Sequence, residues 1–187
     1  MTSPLETTLA AIATDLDRHG IPYMLIGGYA VAIHGTPRFT QDIDITLGID
    51  TDDFDRLLAA IGDHFTSLPE SPREFAIKTN VLPCKDIATG IRVDLIFSFI
   101  DFERRALREA LDVELAGQRI KVATPTHLIV YKLLAGRPRD LEDAQNVFSC
   151  NRQAIHIDIV DACLTELAPL ANPAAIGQWN HMKATTP

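Results

Sequence analysis

The stretch IPYMLIGGYAVAIHGTPRFTQDIDITL, residues 21–47, decides how the chain is to be read. Residues 23–26 are a short apolar run of strand length, closed by Gly27-Gly28. Residues 29–34 are rich in alanine and read as a short helix ended by Gly35, and residues 36–41 form a loop carrying Arg38. Residues 42–47 alternate polar and apolar, the signature of a strand with two unlike faces: Asp42, Asp44 and Thr46 on one, Ile43, Ile45 and Leu47 on the other. Glycines between a strand and a helix either bring backbone N–H groups up to a phosphate at the helix N-terminus or only satisfy a tight turn. Two aspartates two residues apart on a strand point the same way and suit a hard divalent cation, or else form a solvated face. Aspartate is a poor strand former, so two in one strand call for a reason. Arg38 suits neutralisation of phosphate charge or is a plain surface arginine, and Thr36 and Thr40 either bond to phosphate or cap the loop.

Outward from this stretch, Ser3-Pro4 with Glu6 is a capping box opening a helix with Leu5, Leu9, Ile12 and Leu16 on one face and Gly20 at its end. Thr51 caps a second helix with the apolar stripe Phe54, Leu57, Leu58, Ile61 and Phe65. Residues 67–73 read as a proline-containing loop and 75–81 as a strand, while 82–90 carry no clear pattern. Residues 92–99 are a strand with Asp94 on the face opposite Val93, Leu95 and Phe97, followed by a helix over 101–111. A hairpin around Gly117-Gln118 comes next. Thr124-Pro125 opens a helix in which Lys132 interrupts apolar surroundings, so that it either snorkels outward or points into a polar pocket. Gly136 breaks that helix, Asp140 suits an N-cap in the charged run 137–143, and helices are expected over 141–148 and 157–167. The segment from Asn172 has little pattern beyond Trp179. His34, His64, His127 and His156 lack ligand spacing and read as structural, His34 also standing near the phosphate loop.

The bulk properties narrow the class. With 187 residues the chain makes one domain, or one with a helical appendage. A net charge of −8 argues against nucleic-acid binding through a broad positive surface, although not against a local basic groove. No apolar run is long enough for a bilayer, and no secretory leader is visible at the first residues. Three scattered cysteines without a paired motif suit a reducing cytoplasm and argue against structural zinc.

Taken together, Leu25-Ile26-Gly27-Gly28, then Asp42-Ile43-Asp44, then Val93-Asp94-Leu95 resemble the signature of the polymerase-β-like nucleotidyltransferase superfamily. The block Arg38-Phe39-Thr40-Gln41-Asp42-Ile43-Asp44, with Lys132 and then Arg139-Asp140-Leu141-Glu142-Asp143, looks most like the AbiEii-type toxin nucleotidyltransferases. The resemblance implies an α+β fold, a small mixed β-sheet flanked by helices. It implies a nucleotidyltransferase core over 1–123, a helical C-terminal part over 124–170 closing the cleft, and a poorly patterned tail over 171–187. It also implies two Mg²⁺ ions held by Asp42, Asp44 and Asp94, a triphosphate held by Gly27, Gly28, Arg38 and Thr40, and Lys132 reaching phosphate from the helical side. The expected reaction moves a nucleoside monophosphate from an NTP to an acceptor hydroxyl on tRNA or on a small hydroxylated molecule, in the cytoplasm and with an antitoxin as a possible partner. The alternatives are an aminoglycoside- or lincosamide-modifying enzyme and a non-catalytic nucleotide- or partner-binding module on the same fold.

Overall fold

The computed structural model describes residues 3–115, 117–169 and 173–185. They fall into two units: residues 1–29 with 39–123, and residues 30–38 with 124–187. The expected boundary between a helical part and a tail, at 170 and 171, lies outside the described residues, as do positions 172, 186 and 187.

The first unit carries a mixed sheet of β1 (Tyr23–Ile26), β2 (Asp42–Leu47), β3 (Phe65–Ser67), β4 (Val81–Asp86), β5 (Arg92–Phe97), β6 (Leu111–Leu115) and β7 (Gln118–Val122). Their order across the sheet is β3-β4-β5-β2-β1-β7-β6. This is the mixed, helix-flanked sheet expected from the sequence. β2 runs antiparallel to β1 and parallel to β5, so β2 and β5 are joined by a crossover and not by a hairpin. Ile43, Ile45 and Leu47 of β2, with Val93, Leu95 and Phe97 of β5, are fully buried. Each such side chain contributes roughly 1.5–3 kcal/mol, enough to fix which face of the two strands turns inward. The opposite face is thereby left to Asp42, Asp44 and Asp94, because a slip by one residue would bury the carboxylates.

Helix α1 (Pro4–Arg18) starts as its sequence requires. Ser3 N–H donates to Glu6 Oε2 at 2.7 Å and Glu6 N–H donates to Ser3 Oγ at 3.2 Å. Its buried face holds Leu9, Ile12, Ala13 and Leu16, together with Thr8 and Asp15. Both polar residues are used: the Thr8 hydroxyl donates to Asp86 at 2.5 Å, and Asp15 Oδ2 stands 2.7 Å from His64 Nδ1. Between β1 and β2 lies α2 (Gly27–His34), which begins in the first unit and continues into the second.

Several sequence expectations are corrected. Of the strand expected over 75–81, only Val81 is extended, as the first residue of β4. Pro72 at a first helical position opens α4 (Pro72–Thr79), Asn80 ends it in the left-handed region, and the strand is β4 beyond it. The second helix begins as a 3-10 turn, Thr51–Asp53, capped by Asp50 rather than Thr51, and continues as α3 (Phe54–Ile61). Phe65 belongs to β3 and not to the stripe of that helix. Helix α5 (Asp101–Arg108) stops before Leu111, which opens β6.

In the second unit α6 (Pro125–Ala135) packs against α7 (Pro138–Asn151), α8 (Ile157–Glu166) and α9 (Ala175–Thr185). Asp140 is not the N-cap of α7; Arg137 stands at that position and Asp140 lies in the first turn. The unpatterned segment contains α9, anchored by Trp179, which is buried edge-on against Phe148 and donates from Nε1 to Asp161 at 2.7 Å. No helix among the described residues is long and apolar enough to cross a membrane.

The Asp15–His64 contact makes a pH prediction. Hydrogen bonding to Asp15 raises the His64 pKa above its ordinary value, so protonation stabilises the fold. That contribution is complete below the ordinary histidine value and disappears as pH rises through the elevated one. His64→Gln is expected to lower the melting temperature at pH 5.5 and to leave it nearly unchanged at pH 8.5; equal losses at both pH values would contradict the assignment.

Candidate active site

Strand β1 ends at Ile26, whose register partner on β2 is Asp44. The chain turns into α2 at Gly27, which has φ +66°. A β-carbon there would overlap the carboxylate of Asp44. Glycine is therefore required twice, once for the left-handed backbone and once for the space that Asp44 occupies. The same turn places the carboxylate of Asp44 beside the start of α2, where the first backbone N–H groups have no partners within the helix.

The parallel register of β2 with β5 sets Asp42 beside Arg92 and Asp44 beside Asp94. All four belong to the polar face, because each lies two residues from its companion on the same strand. Asp42 Oδ1 accepts from the Thr40 hydroxyl at 3.0 Å. Both oxygens of Asp94 are taken by Arg92: Nε donates to Oδ1 at 2.9 Å and Nη2 to Oδ2 at 3.0 Å. Asp94 first, then Asp42 and Asp44, make the Arg92 guanidinium more basic than an ordinary arginine. Arg92 escaped the sequence reading; its signal was its position, two residues before Asp94 on the same strand face.

Among the described residues, no three His, Cys, Asp or Glu side chains are gathered into a group able to hold a metal ion. Asp94 is turned onto Arg92, and Asp42 accepts from Thr40. The donors nonetheless suit a hard divalent cation in type and in strand register. Thr46, next on the same face, is fully buried and its hydroxyl has no hydrogen-bond partner.

Gly28 follows Gly27 in the first turn of α2, and the remaining expected site residues, Arg38 and Lys132, lie in the second unit. Arg38 Nε and Nη2 donate to Asp143 Oδ1 and Oδ2 at 2.7 and 2.8 Å. Lys132 is buried and not snorkelled, and its Nζ stands 3.0 Å from Asp140 Oδ1 and 2.9 Å from Asp143 Oδ2. Arg137 Nε donates to Asp140 Oδ2 at 2.5 Å. Burial alone would raise the Asp140 carboxyl, but the hydrogen bonds from Arg137 and Lys132 outweigh it and hold the group below the usual range. Further along α7, Asn146 accepts from the N–H and the hydroxyl of Thr36, both at 3.1 Å. Asn151 donates to the carbonyl of His34. Thr40, expected at phosphate, is the partner of Asp42; Thr36, the other candidate, is the partner of Asn146.

With this geometry in hand, residues 9–169 match the model of a family described as nucleotidyl transferase AbiEii toxin, type IV TA system. The chain belongs to the AbiEii nucleotidyltransferase family. No curated protein matches this AbiEii-family chain. Among solved structures it is similar to an antigenic nucleotidyltransferase-like protein from Paracoccidioides brasiliensis, at 17% identity and a TM-score of 0.57, covering 94% of this chain and 92% of that one. It is also similar to the antibiotic-resistance factor ANT(2'')-Ia, at 14% identity and a TM-score of 0.59, over 97% and 99% of the two chains. A third is the lincosamide antibiotic adenylyltransferase LnuA, solved with lincomycin, at 14% identity and a TM-score of 0.52, over 80% and 98%. At these identities the likeness establishes the shared nucleotidyltransferase fold.

Two outcomes follow. Gly27→Ala forces a left-handed alanine, at a cost of roughly 1–2 kcal/mol, and displaces Asp44. Nucleotidyl transfer by the folded AbiEii-family variant should fall at least about a hundredfold, since a misplacement of an ångström costs that much. Asp143→Ala leaves a buried lysine and a half-buried arginine short of a carboxylate, and urea denaturation should show a loss of about 3 kcal/mol.

Proposed function

We propose that this nucleotidyltransferase carries out a Mg²⁺-dependent reaction, that Asp42, Asp44 and Asp94 are the metal-binding carboxylates, and that the acceptor is a tRNA hydroxyl. The observation that carries the site assignment is the packing of Asp44 against Gly27 at the start of α2, with Asp94 as its register partner on β5. Gly27 and Gly28 bring the first backbone N–H groups of α2 to the triphosphate, where the helix dipole favours negative charge. Asp42 and Asp44, on one strand face, would hold the divalent ions that bring the anionic α-phosphate up to the carboxylates, and Asp94 takes the acceptor hydroxyl proton once it is free of Arg92. The acceptor oxygen bonds to the α-phosphorus, the bond from that phosphorus to the bridging oxygen of the β-phosphate breaks, and pyrophosphate leaves. Bound divalent ions supply charge neutralisation at the attacking and leaving oxygens. Alignment and electrostatics account for most of the acceleration in such a transfer.

Arg38 and Lys132 retain the phosphate-binding roles expected of them only if they exchange Asp143 and Asp140 for phosphate oxygens. The family description, a toxin of a type IV system, supports an antitoxin as partner; the cytoplasm as the place of action belongs to the same proposal. A small hydroxylated acceptor is the second reading, supported by the fold shared with ANT(2'')-Ia and LnuA.

The test is incubation of the protein with Mg²⁺ and each labelled NTP, with total tRNA in one arm and an aminoglycoside or lincosamide in the other. Label is expected in the RNA and absent with Asp44→Ala; label confined to the antibiotic would overturn the acceptor, and undiminished labelling by a folded Asp44→Ala variant would overturn the mechanism.

A further inference from the structure

Arg92 plays no part in the reaction as described above, yet it lies among the carboxylates that do. It is the register partner of Asp42, and it forms a two-pronged pair with Asp94, whose own register partner is Asp44. Three like charges at neighbouring positions on one sheet face repel one another, and a fork of guanidinium donors is well suited to hold one of them down. While that fork is in place each oxygen of Asp94 accepts a hydrogen bond from the guanidinium, whose positive charge beside the carboxylate opposes a cation there. The Arg92 side chain is 55% exposed whereas that of Asp94 is 18% exposed, so the arginine is the partner at liberty to leave. It also has somewhere to go. Arg92 lines a groove of about 580 Å³ that is lined as well by Glu70, Glu74, Phe75 and Lys78, and the two glutamates are alternative acceptors for its donors.

We propose that Arg92 is a resident counter-cation, which holds Asp94 in the unloaded protein and competes with a divalent ion for it. The proposal rests on the metal-binding role assigned to Asp94 above. It makes Arg92 a positioning residue that acts through Asp94. Arg92 thereby lowers the hold of the third carboxylate on a cation until the guanidinium lets go.

The test is titration of the full chain with Mn²⁺ alone, without nucleotide, with free Mn²⁺ followed by electron paramagnetic resonance. Arg92→Gln, Arg92→Lys, Asp94→Asn and the Arg92→Gln/Asp94→Asn double variant are compared with the wild type, each checked for folding by circular dichroism. Arg92→Gln is expected to bind Mn²⁺ roughly three- to tenfold more tightly, the modest gain appropriate to removing a half-exposed competitor. Arg92→Lys, which keeps the charge but not the fork, should fall between the two. The gain should vanish in the double variant, which isolates the coupling between the two residues. Unchanged or weaker Mn²⁺ binding by Arg92→Gln or Arg92→Lys, with wild type binding normally, overturns the proposal. Absence of Mn²⁺ binding in every variant, wild type included, overturns the metal-binding reading itself and the proposal with it.

Discussion

The carboxylate of Asp44 lies where a β-carbon on residue 27 would otherwise stand, and much of the sheet unit can be understood as the means of bringing those two positions together. Pairing of Ile26 with Asp44 sets the register of β1 against β2, and the left-handed turn at Gly27 starts α2 at once. The parallel pairing of β2 with β5 then fixes Asp94 beside Asp44. None of these registers is set by the aspartates themselves. They are held by Ile43, Ile45, Val93 and Leu95, whose burial on the other face makes a one-residue slip prohibitive. The carboxylate-bearing face is thus the by-product of an apolar one.

Both units manage concentrated charge by interleaving it, but under different constraints. On the sheet, Arg92 and Asp94 form a pair with ready access to water, so that pair is weakly held and exchangeable. In the helical unit Lys132, Asp140 and Asp143 are buried, and Arg38 and Arg137 complete the alternation of signs. Taking such charges out of water is costly, and they persist only because nearly every oxygen and donor has a partner. What the buried network achieves is specification: it joins a residue of the segment 30–38 to α6 and α7 through directional contacts that a greasy interface would not enforce.

The parts of this structure that were legible in the sequence are those with local causes. Ser3, Pro4 and Glu6 announce α1 because a capping box is a local hydrogen-bond pattern. The alternation in residues 42–47 announces β2, and the same rule finds β5. In residues 72–86 the local signals conflict. Pro72 behind Ser71 marks a helix start, but Phe75, Ala76 and Ile77 mimic a strand, and Pro83 sits inside a true one, where its missing N–H argues against strand pairing. Trp179 was noticed, yet α9 has no coherent apolar stripe and depends on contacts with Phe148 and Asp161, which no local pattern reveals. At the site, the three aspartates were readable from strand periodicity. The engagement of Asp94 by Arg92, and of Arg38 by Asp143, are pairings of one charged group among several candidates, and spacing does not choose between them.

The helical unit is drawn from two separated pieces of the chain, residues 30–38 and 124–187. During synthesis, Arg38 leaves the ribosome 105 residues ahead of Asp143. At roughly 5–20 residues per second that gap lasts on the order of 5–20 seconds. By the end of that interval β1, β2 and β5 have all been made, whereas Thr36 and Arg38 still await their α7 partners. The nascent protein therefore has its carboxylate-bearing strands before its second unit can form, and Arg38 finds its place only once α7 has followed them.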